Sequence, residues 1–192
     1  KHVRCLFVLL MEAAQERGQN ALLAAAFIGD VSTVEKLLEA GADVNLQNKH
    51  GDSALHFALN GIALRESQYC DEGSITKSYI PCDEAVVSVL LRAQADPSLQ
   101  NSRGQCAMHV AAGMHSYAEM HVVAAQLPFV KALLPQRGRS LTLLDKDGNN
   151  ALMVATAEAA PAEVISELLK AMLVDSAMNG NISDVSKLVS KL

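Results

Sequence analysis

The chain has little of what β-sheet proteins and small disulfide-bonded domains require. It contains no tryptophan and only 4% aromatic residues, whereas its 192 residues include 29 alanines and 26 leucines. This balance favours closely packed helices over a sheet of β-branched and aromatic side chains. Because four cysteines lie at irregular spacing in a chain long enough to bury an ordinary core, we expect reduced thiols and a cytoplasmic location, with the nucleus as an alternative.

The chain lacks an excess of basic residues, and it lacks an apolar segment long enough to span a membrane. The formal net charge is −5, with 16 basic residues scattered among 21 acidic ones, so we expect no nucleic acid as a partner. The longest apolar runs, at 5–11 and 21–28, are far shorter than the roughly 20 residues that cross a bilayer, and no membrane insertion is expected. Since a helical pattern begins almost at Lys1, we expect a segment of a longer polypeptide.

An internal repeat organises the chain. Gly18, Gly51, Gly104 and Gly148 are separated by 33, 53 and 44 residues, which indicates a 33-residue period with insertions in the second and third units. Each glycine precedes a short helical pattern that is rich in alanine. A second apolar stripe then follows, with spacing i, i+3 and i+4. Each unit is therefore predicted to consist of helix, turn, helix and loop.

Turn and cap residues support these boundaries. A glycine at the repeat position permits a tight turn with positive φ. Ser53 is positioned to cap the helix that follows it, and Cys106 and Asn150 hold the same place in later units. Gly41 is predicted to end the second helix of the first unit.

These motifs resemble the ankyrin repeat. The resemblance rests on Gly41-Ala-Asp-Val-Asn, on Ala54-Leu55-His56 and on Leu37-Leu38, and it covers about residues 15 to 172. Alanine stands at 21, 54, 107 and 151, where the family usually has proline. The resemblance implies an all-α, ankyrin-type helix-turn-helix repeat solenoid in which only neighbouring units touch.

We predict a single repeat domain over 1–192. Units are predicted at about 18–47, 48–100, 101–144 and 145–172, with insertions at 60–81 and at about 113–126. Residues 1–17 are predicted to form a capping helix or to pack against preceding sequence, and 173–192 to form a partial or capping unit. At that last boundary one helical pattern runs straight into another, so either the intervening hairpin is lost or a stretch of sequence is missing there.

Signatures of common enzymes are not found, and we expect no catalytic activity, cofactor or metal. The sequence contains no metalloprotease, hydrolase or nucleotide-binding motif. His56 and His109 hold the family's histidine position, which implies that their rings brace adjacent loops through hydrogen bonds rather than act as general bases.

Two further pairs of residues have side chains that can bind metals, but neither pair has the spacing of a metal site. His115 and His121 are six residues apart and share no helical face. Cys70 and Cys82 have no recognised ligand spacing, which favours two ordinary thiols in a polar loop over a metal clip or a redox-sensitive disulfide.

The resemblance implies a non-enzymatic module that binds another protein or a peptide segment through the concave face of the stack. The alternative is a regulatory or substrate-recruiting domain of a larger enzyme, such as a ubiquitin ligase or kinase.

The 60–81 insertion is interpreted either as folding over the groove and contributing to partner choice or as a disordered excursion. The sequence indicates no oligomeric state. By resemblance, the variable contact positions are Lys49, His50, Asp52, Asn60, Ser102, Arg103, Gln105, Gly113, Lys146, Asp147, Asn149, Ala157 and Glu158.

Overall fold

The computed structural model describes residues 21–67, 84–113, 123–135 and 141–179, and every regular element in these ranges is a helix. The helices are α1 (Ala21–Ile28), α2 (Val31–Glu39), α3 (Ala54–Ser67), α4 (Glu84–Arg92), α5 (Ala107–Ala112), α6 (Val123–Leu133), α7 (Ala151–Ala157) and α8 (Ala162–Asn179). The predicted all-α class with paired helices is confirmed. Among these helices, none is both long and apolar enough to span a bilayer.

The helices form two layers. The inner helices α1, α3, α5 and α7 each pack against the next one in the series, and the outer helices α2, α4, α6 and α8 do the same. Each inner helix also packs against its own outer helix. Contacts therefore run between neighbouring units, as expected for a solenoid.

Equivalent apolar positions form the core between the layers. On the inner helices, Leu22, Leu55, Met108 and Leu152 are fully buried. Small residues beside them, including Ala26, Ala58, Ala111 and Ala155, are also buried, which lets the inner helices approach closely. The outer helices contribute a buried valine per unit: Val34, Val86, Val130 and Val164.

Local signals set the helix ends. The side chain of Asn150 accepts a hydrogen bond from the backbone N–H of Met153 at 2.9 Å, which confirms it as the cap of α7. After α2, Gly41 has φ +88°, and the N–H of Ala42 donates to the carbonyl of Leu37 at 3.0 Å. This arrangement confirms that Gly41 ends the helix.

Helix α6 begins inside the predicted 113–126 insertion and is tied to the core by Gln126. The buried Nε2 of Gln126 donates to the carbonyls of Ala111 and Ala112, at 2.9 and 2.7 Å. These carbonyls end α5, where helix geometry leaves them without a partner in the helix. The end of this insertion therefore belongs to the packed structure.

Two other predicted boundaries are crossed by helices. Helix α3 continues to Ser67, into the predicted 60–81 insertion, and α8 passes without a break through the predicted boundary at 172–173. The predicted capping helix at 1–17, the repeat glycine Gly18, the rest of the two insertions and the end of the partial unit lie outside the described residues.

Candidate functional site

Three loops with the same internal structure lie between the units. These tip loops, at 48–51, 101–104 and 145–148, each begin with an Asn or Asp whose Oδ1 accepts two backbone N–H groups. In the first loop, Asn48 accepts from His50 at 2.8 Å and from Asp52 at 2.9 Å. Such bonds hold a turn in one conformation. The loops are thus rigid supports for the side chains at their tips.

Backbone hydrogen bonds join each tip loop to the next. The N–H of Ser102 donates to the carbonyl of His50 at 2.6 Å, and the N–H of Lys146 donates to that of Arg103 at 3.0 Å. The amide of Gln100 adds a side-chain bridge, since its Nε2 donates to the carbonyl of Leu144 at 2.9 Å. The structure therefore brings the predicted contact residues of successive loops into one row.

Glycine is required in this row for two reasons. Gly51 and Gly104 have φ of +76° and +74°, a conformation that other residues rarely adopt. In addition, a Cβ on Gly51 would lie 2.9 Å from the Cα of Asn101, so any side chain would push the next loop away.

Two buried histidines tie the loops to the inner helices. The backbone N–H of Ser53 donates to Nδ1 of His56 at 3.2 Å, so the proton is on Nε2, which donates to the carbonyl of Gln105 at 2.9 Å. His109 repeats this pattern, with Nε2 3.1 Å from the carbonyl of Asn149. The predicted bracing role of both histidines is confirmed.

Burial controls the protonation of His56 and His109. Loss of hydration lowers the pKa of His56 and of His109, although the hydrogen bonds from their Nε2 atoms act in the opposite direction. Burial likewise raises the pKa of the Cys106 thiol, which lies 3.0 Å from Nδ1 of His109. These groups are neutral structural elements with no access for a substrate.

The predicted contact residues fall into three groups. Exposed side chains at the tips are Lys49, His50, Ser102, Arg103, Lys146 and Asp147. Half-buried residues at the bases of the loops are Asp52, Gln105 and Asn149, and the Asp52 carboxylate accepts a bond from Nδ2 of Asn101 at 2.9 Å. At the ends of the inner helices are Gly113, Ala157 and Glu158, whereas Asn60 lies in the middle of α3, which continues to Ser67.

Sequence reasoning missed a set of apolar residues on the inner helices. This apolar row consists of the fourth residue of each inner helix, and all four are half-buried: Ala24, Phe57, Val110 and Val154. At one end, the rings of Phe27 and Phe57 meet edge to face, with centroids 6.2 Å apart. The sequence shows that these residues recur at one position of the repeat. That spacing alone does not tell whether the position is fully buried or half-buried.

Metal ligation finds no support in the described ranges, where no group of three or more His, Cys, Asp or Glu side chains is placed to hold an ion. Cys70, Cys82, His115 and His121 lie outside those ranges.

Comparison with known proteins agrees with the repeat architecture. A family model described as ankyrin repeat matches residues 17–49. The chain is 31% identical over 97 residues to the E3 ubiquitin-protein ligase KEG of Arabidopsis thaliana, an alignment that covers 50% of this chain and 5% of that protein. It is 30% identical over 135 residues to the nuclear factor NF-kappa-B p105 subunit of Gallus gallus, covering 69% of this chain and 12% of that protein.

The chain therefore spans a small part of the length of these two relatives. Four findings agree on the repeat type: the 33-residue spacing, the two-layer stack of helix pairs, the hydrogen bonds of His56 and His109, and the family match. The chain is built from repeats of the ankyrin type, and its residues 17–49 match the ankyrin-repeat family model.

Proposed function

We propose that this chain is a non-enzymatic module that binds a protein or peptide segment through its tip loops and the concave side of its inner helices. Ankyrin repeats generally mediate protein–protein interaction and are typically non-catalytic. The observation that carries the proposal is that backbone and side-chain groups of the tip loops have different roles. Their backbone groups hold the loops together, while the side chains of Lys49, Arg103 and Lys146 are exposed.

The apolar row supports the same surface. Phe57, Val110 and Val154 pack against the core and are only half-buried, so each keeps apolar area that a partner can cover. A concave apolar surface bordered by polar loops has the composition of many protein-binding sites, in which a central apolar patch is surrounded by a polar rim.

The alternative function is a regulatory or substrate-recruiting domain of a larger enzyme. One relative is an E3 ubiquitin-protein ligase, and the matched part covers only 5% of it. Determination of the complete open reading frame separates the two proposals, because a catalytic signature outside these residues would favour the recruiting domain. Under either proposal we place the chain in the cytoplasm or nucleus, where a buried and reduced Cys106 is stable.

The binding surface is tested with two double variants that change charge equally. The first, Arg103→Ala with Lys146→Ala, alters the tip loops; the control, Lys36→Ala with Lys131→Ala, alters exposed lysines of the outer helices α2 and α6. Ligands are selected from a displayed peptide library and their affinities measured by calorimetry. We expect the tip variant to weaken binding by about tenfold, or about 1.4 kcal/mol, and the control to leave it unchanged. The reverse pattern would overturn the proposed surface.

A further inference from the structure

Helix α8 runs past the point where the other outer helices end. It has 18 residues, whereas α2 and α4 have 9 each. In the earlier units the outer helix is followed by a loop that leads to the next inner helix, at 40–53, 93–106 and 134–150. Helix α8 instead continues from Met172 through Leu173 to Asn179 without such a loop. We name its last part, 173–179, the α8 extension.

The α8 extension has the sequence of an inner helix. The stretch Leu173-Val-Asp-Ser-Ala-Met-Asn-Gly-Asn-Ile-Ser aligns with Leu22-Leu-Ala-Ala-Ala-Phe-Ile-Gly-Asp-Val-Ser, which contains most of α1 and the start of α2. Leu22 and Leu23 are 0% and 3% exposed, in a helix against which α2 and α3 pack. Their counterparts Leu173 and Val174 are each 48% exposed. The extension therefore carries the apolar residues of an inner helix without the burial that they have in α1.

Polar bridges between units give way to apolar residues at this end of the stack. Nε2 of Gln47 donates to the carbonyl of Gln100 at 3.1 Å, and Nε2 of Gln100 donates to the carbonyl of Leu144 at 2.9 Å. Leu144 holds the next place in this series, but its side chain has no amide and is 54% exposed. In α7, the half-buried Met153 holds the position at which α3 and α5 have their bracing histidines. The last unit therefore suits an apolar neighbour better than another tip loop.

Exposed apolar side chains are concentrated in the same part of the chain. Four large apolar side chains are exposed in the described ranges, and three of them are Leu144, Leu173 and Val174. Lys170 precedes Leu173 and Val174 by three and four residues, so it lies on the same side of α8, and it pairs with Glu167 at 4.0 Å. The apolar pair is thus bordered by a matched pair of charges, and exposed apolar surface of this kind marks sites of association.

The direction of the helices identifies the partner. Paired inner and outer helices run antiparallel, since short loops such as 158–161 join them. The α8 extension cannot run antiparallel to residues 162–172, because both belong to one continuous helix. A two-fold axis perpendicular to α8 makes the α8 helices of two copies antiparallel. The extension of each copy then has the direction of an inner helix relative to residues 162–172 of the other copy.

We propose that the α8 extension is an exchanged inner helix, which packs on the last unit of a second copy of this chain and forms a two-fold dimer. Loss of the loop between two packed elements favours such an exchange, because the second element cannot reach its place in its own chain. The dimer continues the stacking interface that already joins the units within the chain. Since few side chains are covered in each copy, the dimer is weak and dissociates at about 1 µM.

Sedimentation equilibrium of the full chain at about 1–200 µM measures the association. We expect a mass near 20.4 kDa at the lowest concentration and a mass approaching twice that value at the highest. Leu173→Glu should weaken dimerisation by at least about tenfold, because it places a charge in an apolar contact. The control Ile28→Glu changes an exposed apolar residue of the first unit and should alter dimerisation by less than about twofold. Both positions are exposed, so both variants are expected to fold, and thermal melting checks this.

Restoring the missing loop tests the exchange itself. A copy of residues 40–53, which connect α2 to α3, is inserted between Met172 and Leu173 so that the extension can turn back onto its own last unit. We expect this variant to stay monomeric up to about 200 µM. Leu173→Ala should then lower its melting temperature by about 5 °C or more, against less than about 3 °C in the chain without the insertion at about 1 µM, because Leu173 becomes buried within one chain.

Three outcomes would overturn the inference. A chain that stays monomeric at about 200 µM does not use a second copy to cover the extension. Masses that grow beyond the dimer indicate head-to-tail stacking, which a two-fold contact excludes. A dimer that persists in Leu173→Glu, or in a folded loop-insertion variant, is held by another surface. Should the insertion prevent folding, the comparison of Leu173→Glu with Ile28→Glu decides alone.

Discussion

A Cβ atom on Gly104 would lie 2.9 Å from the backbone nitrogen of Lys146 in the next tip loop. The same nitrogen donates to the carbonyl of Arg103 at 3.0 Å, so the close approach and the hydrogen bond between loops depend on the same glycine. Gly148 holds the equivalent place in the following loop, with φ +79° and no heavy atom within 4 Å of a built Cβ. A side chain at Gly148 would therefore meet only backbone strain, whereas one at Gly104 would also clash with the next loop.

Alanine substitution at these glycines should give unequal losses of stability. Gly148→Ala is expected to lower the free energy of unfolding by about 1–2 kcal/mol, because only the positive φ is penalised. Gly104→Ala should lower it by at least about 1 kcal/mol more, since the Lys146 loop must also move. Urea unfolding followed by circular dichroism measures both variants. Equal losses would contradict the close contact between the loops.

The ends of two outer helices allow opposite substitutions to be compared, one that removes a glycine and one that introduces a glycine. Gly41 and Gln94 both follow an outer helix with positive φ, +88° and +66°, and no heavy atom lies within 4 Å of a Cβ at Gly41. Gly41→Gln should therefore lower the free energy of unfolding by about 1 kcal/mol, and Gln94→Gly should raise it by up to about 1 kcal/mol. Shifts of the urea midpoint in the same direction for both variants would contradict a common left-handed cap.

Sequence patterns predicted the features that depend on local chemistry. The helix end at Gly41 follows from the backbone freedom of glycine, and the buried Val34 and Val164 follow from helical spacing. The braces of His56 and His109 followed from the family resemblance, and the hydrogen bonds to Gln105 and Asn149 confirm them.

Features that depend on packing between units were harder to predict. Phe57, Val110 and Val154 have the apolar character of core residues, yet they are only half-buried where they pack against the core, and helical spacing alone does not reveal this. Helix α3 continues past Gly61, a residue that usually favours a helix end, up to Ser67. By contrast, α8 crosses Lys170 because no glycine or proline interrupts the sequence before its end at Asn179. The predicted contact positions and unit boundaries stay predictions.

Acidification should destabilise the fold through the buried histidines. Burial lowers the pKa of His56 and of His109 in the folded chain below 6.5, the ordinary value that these side chains have in the unfolded chain. The unfolded state therefore binds protons first, so this contribution is complete above pH 6.5 and is lost as the pH falls through 6.5 towards the folded-state pKa. Urea midpoints at about pH 7.5 and 5.5 measure the loss, in a range where carboxylates change little.

A variant with both histidines replaced is the control for this pH dependence. His56→Gln with His109→Gln keeps an amide donor for each loop carbonyl but no longer titrates. We expect a lower midpoint at pH 7.5 and a clearly smaller change between the two pH values. An unchanged pH dependence in this variant would show that other groups are responsible.

Two leucines of α8 test where the repeat stack ends. Leu168 is 0% exposed and Leu173 is 48% exposed, although they lie little more than one turn apart. Leu168→Ala should lower the free energy of unfolding by about 2–5 kcal/mol, because it opens a cavity in the core, and Leu173→Ala by less than about 1 kcal/mol. Urea unfolding of the full chain measures both. If Leu173→Ala proves as costly as Leu168→Ala, then Leu173 is covered in solution, as it would be if 173–192 form the predicted partial or capping unit.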